Sequence, residues 1–144
     1  MQVEGRRERK MCIREHALAG QLNVPLLGVC LGHQALAEAD GMNVIRAPLG
    51  PVHGTPRPCY HNSSGVFTGI DSPTNFTRYH SLVVEGENPN SQLVISATDK
   101  SKSIIMALQH TTLPICSVQF HPESVGSEYG NILLTNFLRM YADA

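Results

Sequence analysis

The sequence predicts an α/β fold: a mainly parallel central sheet with helices on both faces and an antiparallel insertion between its two ends. Three observations predict it. An apolar run, residues 24–29, passes into a helix-periodic segment, Leu31–Ala39, with a single residue, Cys30, between them. A continuous apolar strand joined to a helix without a loop marks a parallel sheet covered on both faces. A second strand-then-helix unit closes the chain: residues 115–120, then an apolar stripe of Tyr129, Leu133, Phe137 and Met140. Between these units, from residue 66 onward, short β-rich runs alternate with turns.

The 144 residues read as one domain, residues 1–144, long enough to bury a core. A helix is expected over residues 7–19, with Met11, Ile13, Ala17 and Leu18 as a moderate stripe and Gly20 as its stop. The 24–29 strand and the Leu31–Ala39 helix follow, the helix ending at Asp40-Gly41. Asn43–Arg46 reads as a short strand. The Pro- and Gly-rich stretch 47–58 has no helical period. Val66-Phe67 precedes a turn at 69–73, and residues 78–84 form one β-rich run. Leu93–Thr98 and residues 104–109, separated by the polar turn 99–103, predict a hairpin. In the last strand Cys116, Val118 and Phe120 share a face. Ser127 is the expected N-cap of the closing helix.

Composition narrows the class of function. A net charge of −1 with no long run of either sign argues against nucleic acid or a charged membrane surface as partner. No apolar run is long enough to span a membrane. The four cysteines show no C-x-x-C spacing, which favours a reducing, cytoplasmic setting. The polar N-terminus is Arg-rich, but Glu4, Glu8 and Glu15 argue against a transit peptide, and no signal peptide is recognisable. The glycosylation-like Asn62-Ser63-Ser64 and Asn75-Phe76-Thr77 are therefore read as coincidences. His53, His61 and His110 lack metal-ligand spacing, so neither a metal nor a cofactor is expected.

Two local patterns carry chemistry. Gly28-Val29-Cys30-Leu31-Gly32 is the thiol form of the G-x-S-x-G nucleophile elbow, a strand reversing into a helix at its nucleophile. Glycines on both sides are expected because such a turn leaves no room for Cβ atoms. The helix N-terminus beside Cys30 is expected to favour the thiolate. The second pattern, His121-Pro122-Glu123-Ser124, lies where the last strand ends. Pro122 holds His121 extended, and residues i and i+2 of an extended chain face the same way. Glu123 can then orient the His121 ring, completing a nucleophile–base–orienter relay. Both patterns fall at strand C-terminal ends, the edge at which α/β sheets build sites.

With these residues in view, the sequence resembles the class I (triad-type) glutamine amidotransferases. Gly-Val-Cys-Leu-Gly-His-Gln at 28–34, Arg-Tyr-His-Ser-Leu-Val-Val at 78–84 and Val-Gln-Phe-His-Pro-Glu-Ser at 118–124 follow the family's order and spacing. The middle block, with Val52-His53-Gly54, is most similar to the glutaminase components of anthranilate and aminodeoxychorismate synthases. The resemblance implies a flavodoxin-like domain in which Cys30 attacks glutamine, His121 moves protons and Glu123 holds His121. It also implies that Leu31 offers its N–H to the oxyanion, that Gln34, Ser81 and Leu82 contact glutamine, and that a chorismate-binding synthase receives the ammonia. By its place on the helix alone, Gln34 is equally a solvent-facing residue. His33 and His80, though inside the motifs, are expected to be structural.

The sequence also departs from the family. Members begin with a strand, a helix and a glycine-rich loop that supplies a further oxyanion donor, and no such segment precedes the predicted 7–19 helix. The resemblance therefore implies an N-terminally truncated domain, lacking at least one strand and half of the oxyanion hole. Ser117 stands where the family usually has Gly, and Ser96-Ala97-Thr98 where an Ala-Trp-Thr-like segment is common. Two further functions stay open at the level of sequence: a weak remnant that only binds a synthase partner, and a cysteine γ-glutamyl hydrolase or peptidase-like enzyme. Gln34 and the 79–84 block speak against the latter.

Overall fold

The computed structural model of the chain describes residues 24–86, 90–102 and 104–140. The helix expected over residues 7–19 lies outside them. The described strands are β1 (Leu26–Val29), β2 (Asn43–Arg46), β3 (Val52–His61), β4 (Thr74–His80), β5 (Leu82–Glu85), β6 (Leu93–Thr98), β7 (Ile105–His110) and β8 (Ile115–Val118). The helices are α1 (Leu31–Ala39) and α2 (Gly130–Met140), with a 3-10 turn at Gly65–Phe67.

The sheet runs β1-β8-β7-β6-β3-β4, and β5 joins β2 to β7 at its side. β1 and β8 pair in parallel from Leu26↔Ile115 to Val29↔Val118. The other described pairings are antiparallel. The expected mainly parallel centre thus narrows, among the described residues, to one parallel pair within a mixed sheet. Parallel neighbours need a long crossover, whereas short turns between successive strands return the chain antiparallel.

Helices cover both faces, as the apolar runs require. Alternate residues of β1 and β8 point to opposite sides. Leu26 and Ile115 join Leu36 and Ala37 of α1, with Val84 and Leu108, in one core layer. Leu27, Val29, Cys116, Val118 and Phe120 join Leu133, Leu134 and Phe137 of α2 in the other. In this second layer Phe76 stacks on Phe120 with ring centroids 4.0 Å apart, and Phe67 meets Phe76 edge-on at 6.5 Å. Burying an aromatic of this kind stabilises by roughly 3–5 kcal/mol relative to alanine.

The β6–β7 hairpin forms as expected, its turn tied by the Asp99 carboxylate to Ser101 Oγ and the Ile104 N–H. Three local expectations change. Much of the 47–58 stretch belongs to β3 despite Pro56 and Pro58. Up to Cys59 this strand pairs only with β4 among the described residues, so its other edge needs no N–H donors and tolerates proline. The 78–84 run divides at Ser81, because β4 pairs with β3 while β5 pairs with β2 and β7. Ser127 is not the cap of α2, which begins at Gly130. Its hydroxyl instead donates to the His121 carbonyl at 2.6 Å and accepts the Thr77 N–H at 2.9 Å.

Candidate active site

Because β1 and β8 are parallel neighbours ending at Val29 and Val118, their following residues emerge at one sheet edge. Cys30 comes first. Its N–H donates to the Val118 carbonyl at 2.9 Å, and its own carbonyl accepts the Gln34 N–H at 3.2 Å, opening α1. Held between strand and helix, Cys30 adopts φ 55° and ψ −98°. An L-residue reaches such a conformation at a cost of about 1–3 kcal/mol, met by the surrounding structure. Gly28 is demanded by this turn: a Cβ there would lie 2.8 Å from the Gly32 carbonyl carbon. At Gly32 a Cβ would meet nothing among the described residues within 4 Å, so crowding explains only the first of the two glycines.

The thiol is half-buried. Sγ donates to the Tyr79 carbonyl at 3.6 Å and accepts from Gln119 Nε2 at 3.7 Å. Burial pushes the Cys30 thiol above its ordinary pKa; the Leu31 N–H opposes this, the Glu123 charge adds to it, and the Gln119 amide again opposes it. The expected ease of thiolate formation is thus reversed. The helix N-terminus acts in the foreseen direction through Leu31, but loss of solvent outweighs it.

His121 is fixed by its backbone: the N–H donates to Thr77 O at 2.9 Å and the carbonyl receives Ser127. Its Nδ1 lies 2.6 Å from Glu123 Oε1, the i, i+2 geometry of an extended segment. With Nδ1 engaged, Nε2 is the nitrogen left to exchange protons. Tyr79 bridges the two halves. Its carbonyl accepts the Cys30 thiol while its ring meets the His121 ring edge-on at 5.5 Å. Gly54 gives that ring room, since a Cβ there would come within 2.6 Å of it.

Gln34 is buried rather than solvent-facing, and its Nε2 donates to the Leu82 carbonyl at 3.2 Å and to Gln119 Oε1 at 3.4 Å. Among the described residues its Oε1 is buried without a hydrogen-bond partner. Leu82 O also accepts His80 Nδ1–H at 3.0 Å, and the exposed Ser81 accepts the Ala47 N–H on its carbonyl. Thus Cys30, Leu31, His121 and Glu123 gather at one edge, and Gln34 meets Leu82 beside them. Ser81 forms the bend that leads to Leu82.

Gln119 was not singled out as a site residue by sequence reasoning. Fully buried, it contacts both Cys30 and Gln34. The signal available was an amide inside an apolar strand, two residues before His121.

The remaining histidines of the motifs are held as neutral structural groups. His33 is fully buried with Nδ1 2.7 Å from Ser117 Oγ, and burial pushes its pKa down to about 3. His80 accepts from Arg78 Nε at 2.8 Å, and burial, aided by that guanidinium, lowers its pKa to about 4. Cys59 and Cys116 are buried free thiols, each pushed up to about 12 by burial. Among the described residues, no helix is long and apolar enough to cross a membrane.

This geometry accords with what the chain resembles. It is 44% identical over 128 residues to anthranilate synthase component 2 of Azospirillum brasilense, covering 89% of this chain and 64% of that protein. It is 48% identical over 120 residues to aminodeoxychorismate synthase component 2 of Escherichia coli, covering 83% of this chain and 62% of that protein. The chain therefore spans less than two thirds of these curated relatives. The crystal structure of a protein assigned as a GMP synthase component, from Thermoplasma acidophilum, shares the fold. Its TM-score is 0.75 at 26% identity, over 83% of this chain and 58% of that one. A family model described as glutamine amidotransferase class-I matches residues 3–140. An elbow cysteine, a paired histidine and a match along nearly the whole chain agree: this chain belongs to the class-I glutamine amidotransferase family.

Proposed function

We propose that this protein hydrolyses glutamine to glutamate and ammonia in the cytoplasm and delivers the ammonia to a synthase that aminates chorismate. The observation that carries the proposal is the convergence of Cys30 and the His121–Glu123 pair on Tyr79. The relatives named as components of anthranilate and aminodeoxychorismate synthases support the choice of partner.

In the proposed reaction Gln34, Ser81 and Leu82 hold glutamine with its side-chain amide beside Cys30. The raised thiol pKa means that Cys30 rests protonated. Sγ therefore passes its proton to His121 Nε2 as it attacks the amide carbon. The Leu31 N–H stabilises the tetrahedral oxyanion. On collapse the C–N bond breaks, His121 returns the proton to the departing nitrogen, and ammonia leaves a γ-glutamyl thioester on Cys30. Water, losing a proton to His121, attacks the thioester; the C–S bond breaks and the proton goes back to sulfur. Glu123 keeps the imidazole oriented and stabilises its charged form throughout.

The test is covalent. A diazo-ketone analogue of glutamine, followed by peptide mapping, is expected to label Cys30 well ahead of Cys12, Cys59 and Cys116. Labelling spread evenly over the four thiols, or absent from Cys30, would remove the basis of the proposal.

A further inference from the structure

A cleft of about 340 Å³, apart from the candidate active site, lies between the segment leading into β3 and the β6–β7 turn. None of Cys30, Gln34, His121 and Glu123 lines it. Its charged residues are Arg57, Arg78, Lys100 and Asp99, three cations against one carboxylate. Arg78 is 7% exposed. Among the described residues its guanidinium makes one hydrogen bond, from Nε to His80, and no ion pair. Burial acts first, pushing the Arg78 pKa below its ordinary value; the Asp99 carboxylate favours the charge from a distance, but its oxygens are engaged by Ser101 and the Ile104 N–H. Arg57 adds repulsion of like sign.

A guanidinium largely withdrawn from water does not escape its cost by losing a proton, and such charges are ordinarily paired. Here the matching anion is not supplied by the described residues, while a cleft gives access from outside. Two guanidinium groups and an ammonium suit an oxyanion, which an Arg fork binds with two parallel hydrogen bonds. The volume falls at the lower end of small-molecule sites, about 300–1,000 Å³. We propose that this cleft binds a small carboxylate- or phosphate-bearing metabolite, with Arg78 at its floor and Arg57 and Lys100 at its mouth. The site also reaches the nucleophile through side chains: Arg78 donates to His80, His80 to Leu82 O, and Gln34 to that same carbonyl and to Gln119 beside Cys30.

The inference is tested by thermal melting of the full protein at fixed ionic strength, with chloride replaced stepwise by malate or by inorganic phosphate. Binding to the folded state is expected to raise Tm saturably with at least one of the two anions. The double variant Arg57→Ala/Lys100→Ala, altered only at exposed positions, is expected to match the parent Tm in chloride and to need about tenfold more anion for half-saturation. Arg78→Lys, which keeps charge but not the fork, is expected to weaken binding similarly. A Tm rise that does not saturate, or that the double variant shares in full, would overturn the site. An absent anion response would also overturn it, and weakened synthase association in the double variant would then assign the cleft to an acidic side chain of the partner.

Discussion

Gln119 Nε2 lies 3.7 Å from Cys30 Sγ while its Oε1 receives the Gln34 amide at 3.4 Å. One buried side chain thus joins the proposed nucleophile to the proposed glutamine-binding residue. Its amide acts to lower the Cys30 pKa against burial. Gln119→Leu is therefore expected to move the pH profile of Cys30 alkylation by iodoacetamide upward. It is also expected to lower glutaminase kcat/KM about tenfold, the scale of one lost buried hydrogen bond. An unmoved alkylation profile would show that the amide serves packing alone.

The relay predicts a graded response. Cys30→Ser and His121→Ala are expected to reduce glutamine-dependent ammonia release by at least about three orders of magnitude, since both groups react in the proposed mechanism. Glu123→Gln is expected to cost less, because it orients His121 through a hydrogen bond that an amide partly replaces. All three variants are expected to support the proposed partner synthase when free ammonium is supplied. Failure of the ammonium-driven reaction would place the damage in folding or docking rather than in chemistry.

The two glycines of the elbow predict opposite outcomes. A Cβ at Gly28 collides with the Gly32 backbone, so Gly28→Ala is expected to displace the elbow, abolish Cys30 labelling and lower Tm. Gly32 lies in α1 with open space around it among the described residues. Gly32→Ala is expected to leave labelling intact and to stabilise by about 0.5–1 kcal/mol, the helix-propensity gain. Equal damage from both substitutions would contradict this division.

His33 and His80 make stability depend on pH. Their folded pKa values, about 3 and about 4, lie below the ordinary histidine value near 6.5. Between these limits the unfolded chain binds more protons than the folded one. Their contribution is complete above about pH 6.5 and is lost as the pH falls toward 4 and then 3. Tm is expected to drop over that window, and His33→Gln to flatten the drop. Ser117→Gly, which restores the residue usual in the family, removes the partner of His33 Nδ1 and is expected to cost about 1–3 kcal/mol at neutral pH.

The elbow and the His121–Glu123 pair were legible in the sequence because their geometry is local. Strand, glycine, cysteine and helix of the elbow fall within a few consecutive residues, and His121 and Glu123 share a face through the two-residue period of an extended chain. The covering of both sheet faces was legible in the continuous apolar run 24–29, and one face of the last strand in Cys116, Val118 and Phe120. What the sequence left open depends on residues far apart along it. Gln34 fits either a solvent-facing or a binding position until α1 packs on β5 and brings it to Leu82. The direction of the Cys30 shift is a balance between a local N–H, at Leu31, and burial beneath distant elements, so no motif reveals it. β3 was hidden because its prolines oppose strand propensity wherever the edge is unspecified. Arg78 opens a β-rich run in the sequence, and only the packing of β4 buries it beside a cleft whose one carboxylate among the described residues, Asp99, is engaged by Ser101 and the Ile104 N–H. Local sequence determined which residues meet at the candidate site; only tertiary packing decided how much water, and which charges, surround them.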